Sequence, residues 1–205
     1  MSLYADWILP WLIEAQLGKP DIAATRAELL RGLSGEVLEV GFGSGLSLPH
    51  YPRAVTRLYV LDPHRPPLKR VAARIAAASF PVVTLPYPGD GPYPLAEGTV
   101  DAVVSFFTLC TIPDVAAALR EMRRILKPGG TFAFLEHGAS EQARVLAWQR
   151  RLTPLQKRIA GGCHLDRPID RLVEAAGFAA LNCERIRLPS VPGLAGRLYR
   201  GSAVR

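Results

Sequence analysis

The stretch EVLEVGFGSGLSLPHYP, Glu36 to Pro52, decides the fold. Val37, Leu38 and Val40 make a short apolar run, interrupted by Glu39 and bounded by glycine, which is the pattern of a strand. Gly41, Gly43 and Gly45 follow at alternate positions. A glycine loop at the carboxyl end of a parallel strand lets backbone N–H groups approach a nucleotide-sized ligand. The dinucleotide fingerprint is G-x-G-x-x-G, whereas here the third glycine comes one residue early and Glu39 stands two residues ahead of the first. That departure disfavours a pyrophosphate, and the loop reads as a cofactor site of another kind, with Glu39 counted among the cofactor-binding residues beside Gly41, Gly43 and Gly45.

Working outward, strand-like and helix-like segments alternate, which predicts a parallel sheet covered by helices. Helices are expected over Asp21–Leu33, over Pro66–Ala78 with Leu68, Val71 and Ile75 on one face, and over Pro113–Leu126 with Leu119, Met122, Ile125 and Leu126 turned inward. Lys127, Pro128, Gly129 and Gly130 should end the last of these. Further strands are expected at Arg57–Leu61, Pro81–Leu85, Val100–Phe106 and Thr131–His137. From 138 to 167 the alternation stops. Trp148, Leu152, Leu155 and Ile159 fall at helical spacing, and Thr153 with Pro154 makes a cap and first-turn pair, so two short helices are predicted there. A helix beginning at Asp166 or Pro168 closes at Gly177. Two final strands, Ala179–Leu188 and Arg197–Val204, are joined by a link too short for a crossover helix and should pair antiparallel. The expected architecture is an α/β, Rossmann-like, seven-stranded and mainly parallel sheet with helices on both faces and a C-terminal antiparallel hairpin. One domain should span 1–205, with 1–35 as an N-terminal helical cap and 138–167 as an insertion on the acceptor side.

Composition narrows the classes. The 205 residues, 49% of them hydrophobic, suffice for one substantial core. The three cysteines, Cys110, Cys163 and Cys183, are widely spaced and form no CxxC pair, which suits a reducing cytoplasm better than a disulfide framework. The net charge of +7 is spread over several helices without a long Lys/Arg run, which argues against a nucleic-acid partner and leaves an anionic membrane surface open. The segment Trp7 to Ile13 is far shorter than the ~20 residues of a spanning helix and lacks the flanks of a signal peptide. It reads as helix or turn packed on the domain, or as a membrane-touching patch.

At the end of the second strand, 21 residues beyond Gly41, stands Asp62, followed by Pro63. A carboxylate there can accept two hydrogen bonds from ribose hydroxyls. With this residue in place the chain resembles the class I S-adenosylmethionine-dependent methyltransferases, through VLEVGFGSG, LDP, GDGPYPLAEGTVDAVVSFFTL, LREMRRILKPGG and FLEH, from about Val37 to His137. The resemblance implies that the glycine loop packs on the methionine part, that Asp62 holds the ribose, and that Asp90, eleven residues before Asp101, contacts the adenine amine. It further implies that Gly91 offers its N–H to the adenine ring and that Ser105 and Phe106 line the methionine moiety. Glycine and proline around Asp90 depart from the usual pattern and weaken the adenine assignment. Past this core, EHGAS and LTPLQKRIAGGCHLDRPIDRLVEAAGF resemble the methyltransferase-like alkyl thiol methyltransferases, which carry a similar Gly-Cys-x-Leu-x-Arg stretch, here Gly162, Cys163, Leu165 and Arg167.

Methyl transfer from a sulfonium is an in-line displacement that needs no metal, and alignment alone is worth ~7–11 kcal/mol. A base helps only an acceptor that arrives protonated. His137, just past the fifth strand, is the candidate, with an ordinary polar contact at a strand end as the other reading. His164 either lines the acceptor pocket or caps the following helix, and Cys110 is either core or pocket wall. A three-cysteine soft-metal site would require Cys110, Cys163 and Cys183 to converge, and the strand position of Cys183 stands against it. The expected acceptor is small and apolar, a thiol or a lipid-like molecule, beneath a lid carrying Trp7, Trp11, Trp148, Leu152 and Leu155. A phospholipid or quinone-precursor methyltransferase, an NAD-dependent oxidoreductase and a nucleotide-binding module without catalysis remain as alternatives.

Overall fold

The computed structural model describes residues 9–63, 68–89, 91–191, 193 and 195–205. The expectations for Trp7, for the start of the third helix at Pro66 and for Asp90 therefore lie outside the described residues. The chain runs α1 (Leu9–Leu17), α2 (Pro20–Leu30), β1 (Gly35–Val40), β2 (Val55–Leu61), α3 (Leu68–Ala76), β3 (Val82–Thr84), β4 (Val100–Phe106), α4 (Val115–Ile125), β5 (Leu126–His137), α5 (Ala143–Ile159), α6 (Ile169–Ala175), β6 (Ala179–Ile186) and β7 (Leu198–Val204).

The seven strands form one sheet in the order β3-β2-β1-β4-β5-β7-β6. Pairing is parallel from β3 to β5, while β7 runs antiparallel to both β5 and β6. The order reverses between β1 and β4, so their carboxyl ends flank the crevice where open α/β sheets bind ligands. Alternating side chains feed two cores. Leu38, Val103, Phe132 and Phe134 pack with Leu119, Met122 and Ile125 of α4 and Ile169 and Val173 of α6. Val37, Ala102, Val104 and Leu135 pack on the other side with Ile22 and Leu30 of α2 and with Val71 and Ile75 of α3. Helices thus cover both faces, and each central strand is apolar on both, as a parallel sheet requires.

Two local expectations are corrected. The fifth strand starts at Leu126 rather than Thr131, because Leu126 already pairs with Val100 before the register jumps to Ala102 opposite Thr131. Pro128, Gly129 and Gly130 are extruded in that jump, with Gly129 at φ 75°. Second, the 138–167 segment holds one helix of 17 residues instead of two short ones, with Pro154 inside it. Pro154 has no N–H to give to the carbonyl four residues back. The helix continues with its inner face anchored just ahead of the proline. Buried Gln149 donates to Gly138 O at 3.0 Å and accepts from Ser140 N at 2.8 Å, while the Thr153 hydroxyl donates to Gln149 O at 2.8 Å and lies 3.1 Å from Asp166 Oδ1.

Among the described residues no helix is long and apolar enough to cross a membrane. The apolar stripe of α5 stands at the surface, Trp148 and Leu155 being 55% exposed, and so does Trp11 of α1 at 58%.

Candidate active site

The glycine loop is built around three different needs. Gly41 sits at φ 78°, and a Cβ there would lie 1.8 Å from Thr108 Oγ1, so only a bare backbone fits between β1 and the loop after β4. Gly45, at φ 75°, is packed against Phe42 and Leu48. Gly43 differs: a Cβ there would meet nothing within 4 Å. Its N–H donates to Asp62 Oδ2 at 2.7 Å, so the carboxylate at the end of β2 and the open edge of the loop share one place. Pro63 follows at the surface. Above the loop, Arg74 of α3 donates to Ser44 O at 2.6 Å and pairs with Glu14 of α1 at 2.7 Å, which ties the N-terminal helix over it.

Glu39 lies beneath. Its carboxylate is 2% exposed and accepts from the Ser47 hydroxyl at 2.7 Å and the Tyr51 hydroxyl at 2.9 Å. Buried Arg26 of α2, stacked 5.3 Å from the Phe106 ring, supplies a nearby positive charge. Burial nonetheless pushes Glu39 from 4.5 up to about 7, against the pull of both hydroxyls and of Arg26. A raised folded-state value means the folded protein keeps a proton that the unfolded chain has already released. The associated stability is full below about pH 4.5 and is lost as pH rises through about 7, on the order of 3 kcal/mol in all. Glu39→Gln should therefore gain stability relative to the natural protein between pH 5 and 7.5. Urea unfolding across that range checks it; a difference that stays flat with pH would show Glu39 to be ionised throughout.

At the far side of β4, Glu136 organises the loop that follows. Fully buried, it accepts from the Ser105 hydroxyl at 2.8 Å, Thr108 N at 2.9 Å and Cys110 N at 3.3 Å. Burial pushes its carboxyl up while these donors pull it down. They hold the chain through Phe107, whose φ of 54° is unusual for a bulky residue. Ser105 is thus spent on Glu136, Phe106 is buried under Arg26, and the Gly91 N–H donates to Pro88 O at 3.1 Å.

His137 ends β5 with its ring 4.9 Å from that of Phe107. Its Nδ1 lies 3.7 Å from Cys110 Sγ and 3.7 Å from Cys163 Sγ. Cys163 arrives from the turn after α5, where Gly161 and Gly162 take φ 59° and 90° and reverse the chain. The two cysteine loops are stapled together: His164 N and Nδ1 both lie on Cys110 O, at 2.8 and 3.1 Å, and Arg167 bonds Leu109 O. The thiol hydrogen bond from Cys110 holds Cys163 well below the usual thiol range, helped by His137 and opposed by burial. Cys183 stays apart on β6, packed against the first core.

The structure therefore brings Gly41, Gly43, Gly45, Asp62 and, below them, Glu39 to one place, with His137 beyond Thr108. Sequence reading left Glu136 without a role and, while it expected the acceptor near Cys110 and His137, did not bring Cys163 to them. The adjacent Glu-His pair at a strand end was the available signal, since neighbours on a strand face opposite ways.

Residues 38–134 match the methyltransferase domain family. Over 162 residues the chain is 33% identical to the thiol S-methyltransferase TMT1B of Rattus norvegicus, covering 76% of this chain and 65% of that protein. It is also 33% identical to the thiol S-methyltransferase TMT1A of Homo sapiens over 168 residues, 77% of this chain and 66% of that one. The chain thus spans about two thirds of the length of these relatives. A SAM-dependent methyltransferase from Aquifex aeolicus shares the fold with a TM-score of 0.64 and 18% identity, covering 95% of this chain and 97% of that one. The chain belongs to the S-adenosylmethionine-dependent methyltransferases. Within them its curated relatives include thiol S-methyltransferases.

Proposed function

We propose that this protein is a thiol S-methyltransferase that uses S-adenosylmethionine and takes a small, apolar acceptor. The observation that carries the reading is the meeting of Cys110 and Cys163 with His137 at the carboxyl ends of β4 and β5, next to the loop on which Gly41 packs. The residues fit the cofactor: the place of a Gly43 Cβ is open, and the Asp62 carboxylate stands beside it. Gly41, Gly43 and Gly45 would hold the methionine part and Asp62 the ribose, with Pro63, Asp90 and Gly91 toward the base and Ser105 and Phe106 behind the loop. When bound, S-adenosylmethionine supplies a sulfonium methyl group open to displacement and leaves as S-adenosylhomocysteine.

The chain's own task is to orient the acceptor, exclude water and take its proton. His137 Nδ1 faces the two sulfurs, which leaves Nε2, without a hydrogen bond among the described residues, as the nitrogen for the acceptor thiol. The exposed Trp148, Leu152 and Leu155 of α5 offer the apolar surface of a lid, and Arg150, Arg151, Lys157 and Arg158 on the same helix suit contact with an anionic membrane surface.

Turnover decides. Purified protein should release S-adenosylhomocysteine with short alkyl thiols, and His137→Ala should lower kcat by roughly 10²–10⁴-fold. Methylation of tRNA or a protein, with alkyl thiols and lipid amines inert, would replace this reading.

A further inference from the structure

We infer that Cys110, His137 and Cys163 form a coordination site for a thiophilic divalent cation of the zinc type. The three residues come from the loop after β4, the end of β5 and the turn after α5, yet their donor atoms all lie within 4.8 Å of one another. Both Nδ1 to sulfur distances are 3.7 Å. Tetrahedral zinc, with bonds of about 2.3 Å to sulfur and 2.0–2.1 Å to nitrogen, sets such N···S edges at about 3.6 Å and the S···S edge at about 3.8 Å. The two N···S edges match to within about 0.2 Å, and the two sulfurs lie within 4.8 Å of each other.

In the ion-free protein a hydrogen-bond chain, from the Cys110 thiol to Cys163 and between Cys163 and His137 Nδ1, holds the three side chains together. Nδ1 itself makes only one hydrogen bond, whereas a metal ion engages all three atoms directly. The donor set also selects the kind of cation: two sulfurs and an imidazole suit zinc, cadmium or cobalt, whereas magnesium and calcium need a shell of oxygens. Cys110 and Cys163 are 1% and 4% exposed, so their ligand atoms are desolvated, and half-buried His137 leaves the approach.

The frame is built before any ion arrives. The Cys110 N–H is fixed on Glu136 and its carbonyl on His164, while Cys163 N donates to Ala160 O at 3.2 Å. Three protein ligands leave a fourth position, the pattern of a reactive rather than a purely structural zinc site. A loaded site occupies Nδ1 and both sulfurs together, so cation binding and the contacts these groups make in the ion-free protein exclude each other.

The test is a titration of reduced, untagged full-length protein with cadmium and, separately, cobalt. One ion per chain and thiolate charge-transfer absorption are expected. Cys110→Ser and Cys163→Ser should each weaken binding at least about a hundredfold, whereas Cys183→Ser should leave it unchanged. Absence of the charge-transfer band from the natural protein at one equivalent of cadmium overturns the site, and so does equal affinity in a folded Cys110→Ser/Cys163→Ser double variant. If the cysteine variants do not fold, the band and unit stoichiometry of the natural protein decide alone. None of these readouts depends on methyl transfer, so the site stands or falls apart from the proposed activity.

Discussion

Replacing Glu136 with alanine should lower the unfolding free energy by about 3–5 kcal/mol, as expected when several buried hydrogen bonds lose a common acceptor. The Ser105 hydroxyl, Thr108 N and Cys110 N would lose their common acceptor and face a cavity. The damage should extend beyond stability, because the same carboxylate holds Phe107 in its left-handed conformation and sets Thr108 against Gly41. Glu136→Gln is the instructive companion, since it keeps the shape but turns one oxygen into a donor that faces other donors. It should lose less than alanine does. Urea unfolding checks both, and a loss below about 1 kcal/mol for alanine, the size of a single ordinary hydrogen bond, would mean that the loop does not depend on this hub.

The second large effect concerns cofactor affinity. Asp62→Ala should weaken S-adenosylmethionine binding by about 1.5–3 kcal/mol, the range for hydrogen bonds to a charged group, or roughly ten- to a hundredfold in Kd. Part of that loss comes through the loop itself, because Asp62 Oδ2 also fixes the Gly43 N–H. Asp62→Asn separates the two parts: it retains an oxygen for Gly43 while giving up the charge. Isothermal calorimetry on the three proteins gives the answer, and an unchanged Kd for Asp62→Ala would remove this residue from the cofactor site.

The strands were legible because their signals are local. Val37 to Val40 and Val100 to Phe106 carry an apolar run and a glycine or polar boundary within seven residues, and β6 and β7 announce their antiparallel pairing through a short link. What stayed hidden depends on long-range meetings. Cys110, His137 and Cys163 are 26 to 53 positions apart, and no periodicity relates them. Glu136 reads in the sequence as one more strand-end acid, and only the turn of the chain around Phe107 gives it three donors to hold. Glu39 is expected at the cofactor from its spacing to the glycines, but its partners Ser47 and Tyr51, which reach it from the loop's far end, are not written in that spacing. At Pro154 a sound local rule was outweighed by tertiary anchoring of Gln149 and Thr153.

The order of the strands also bears on aggregation. The sheet ends in β3 on one side and β6 on the other, and such edges are templates for a stray strand from another molecule. Neither edge here is inviting. β3 is only three residues long. β6 breaks register between Ala179 and Asn182, with Ala180 at φ 47°, and beyond the break carries Glu184 and Arg185, both ion-paired. A bulge and charge blunt an edge by twisting it and by making an incoming strand bury ions. The sheet is thereby protected against growth at both margins, by brevity at β3 and by distortion and charge at β6.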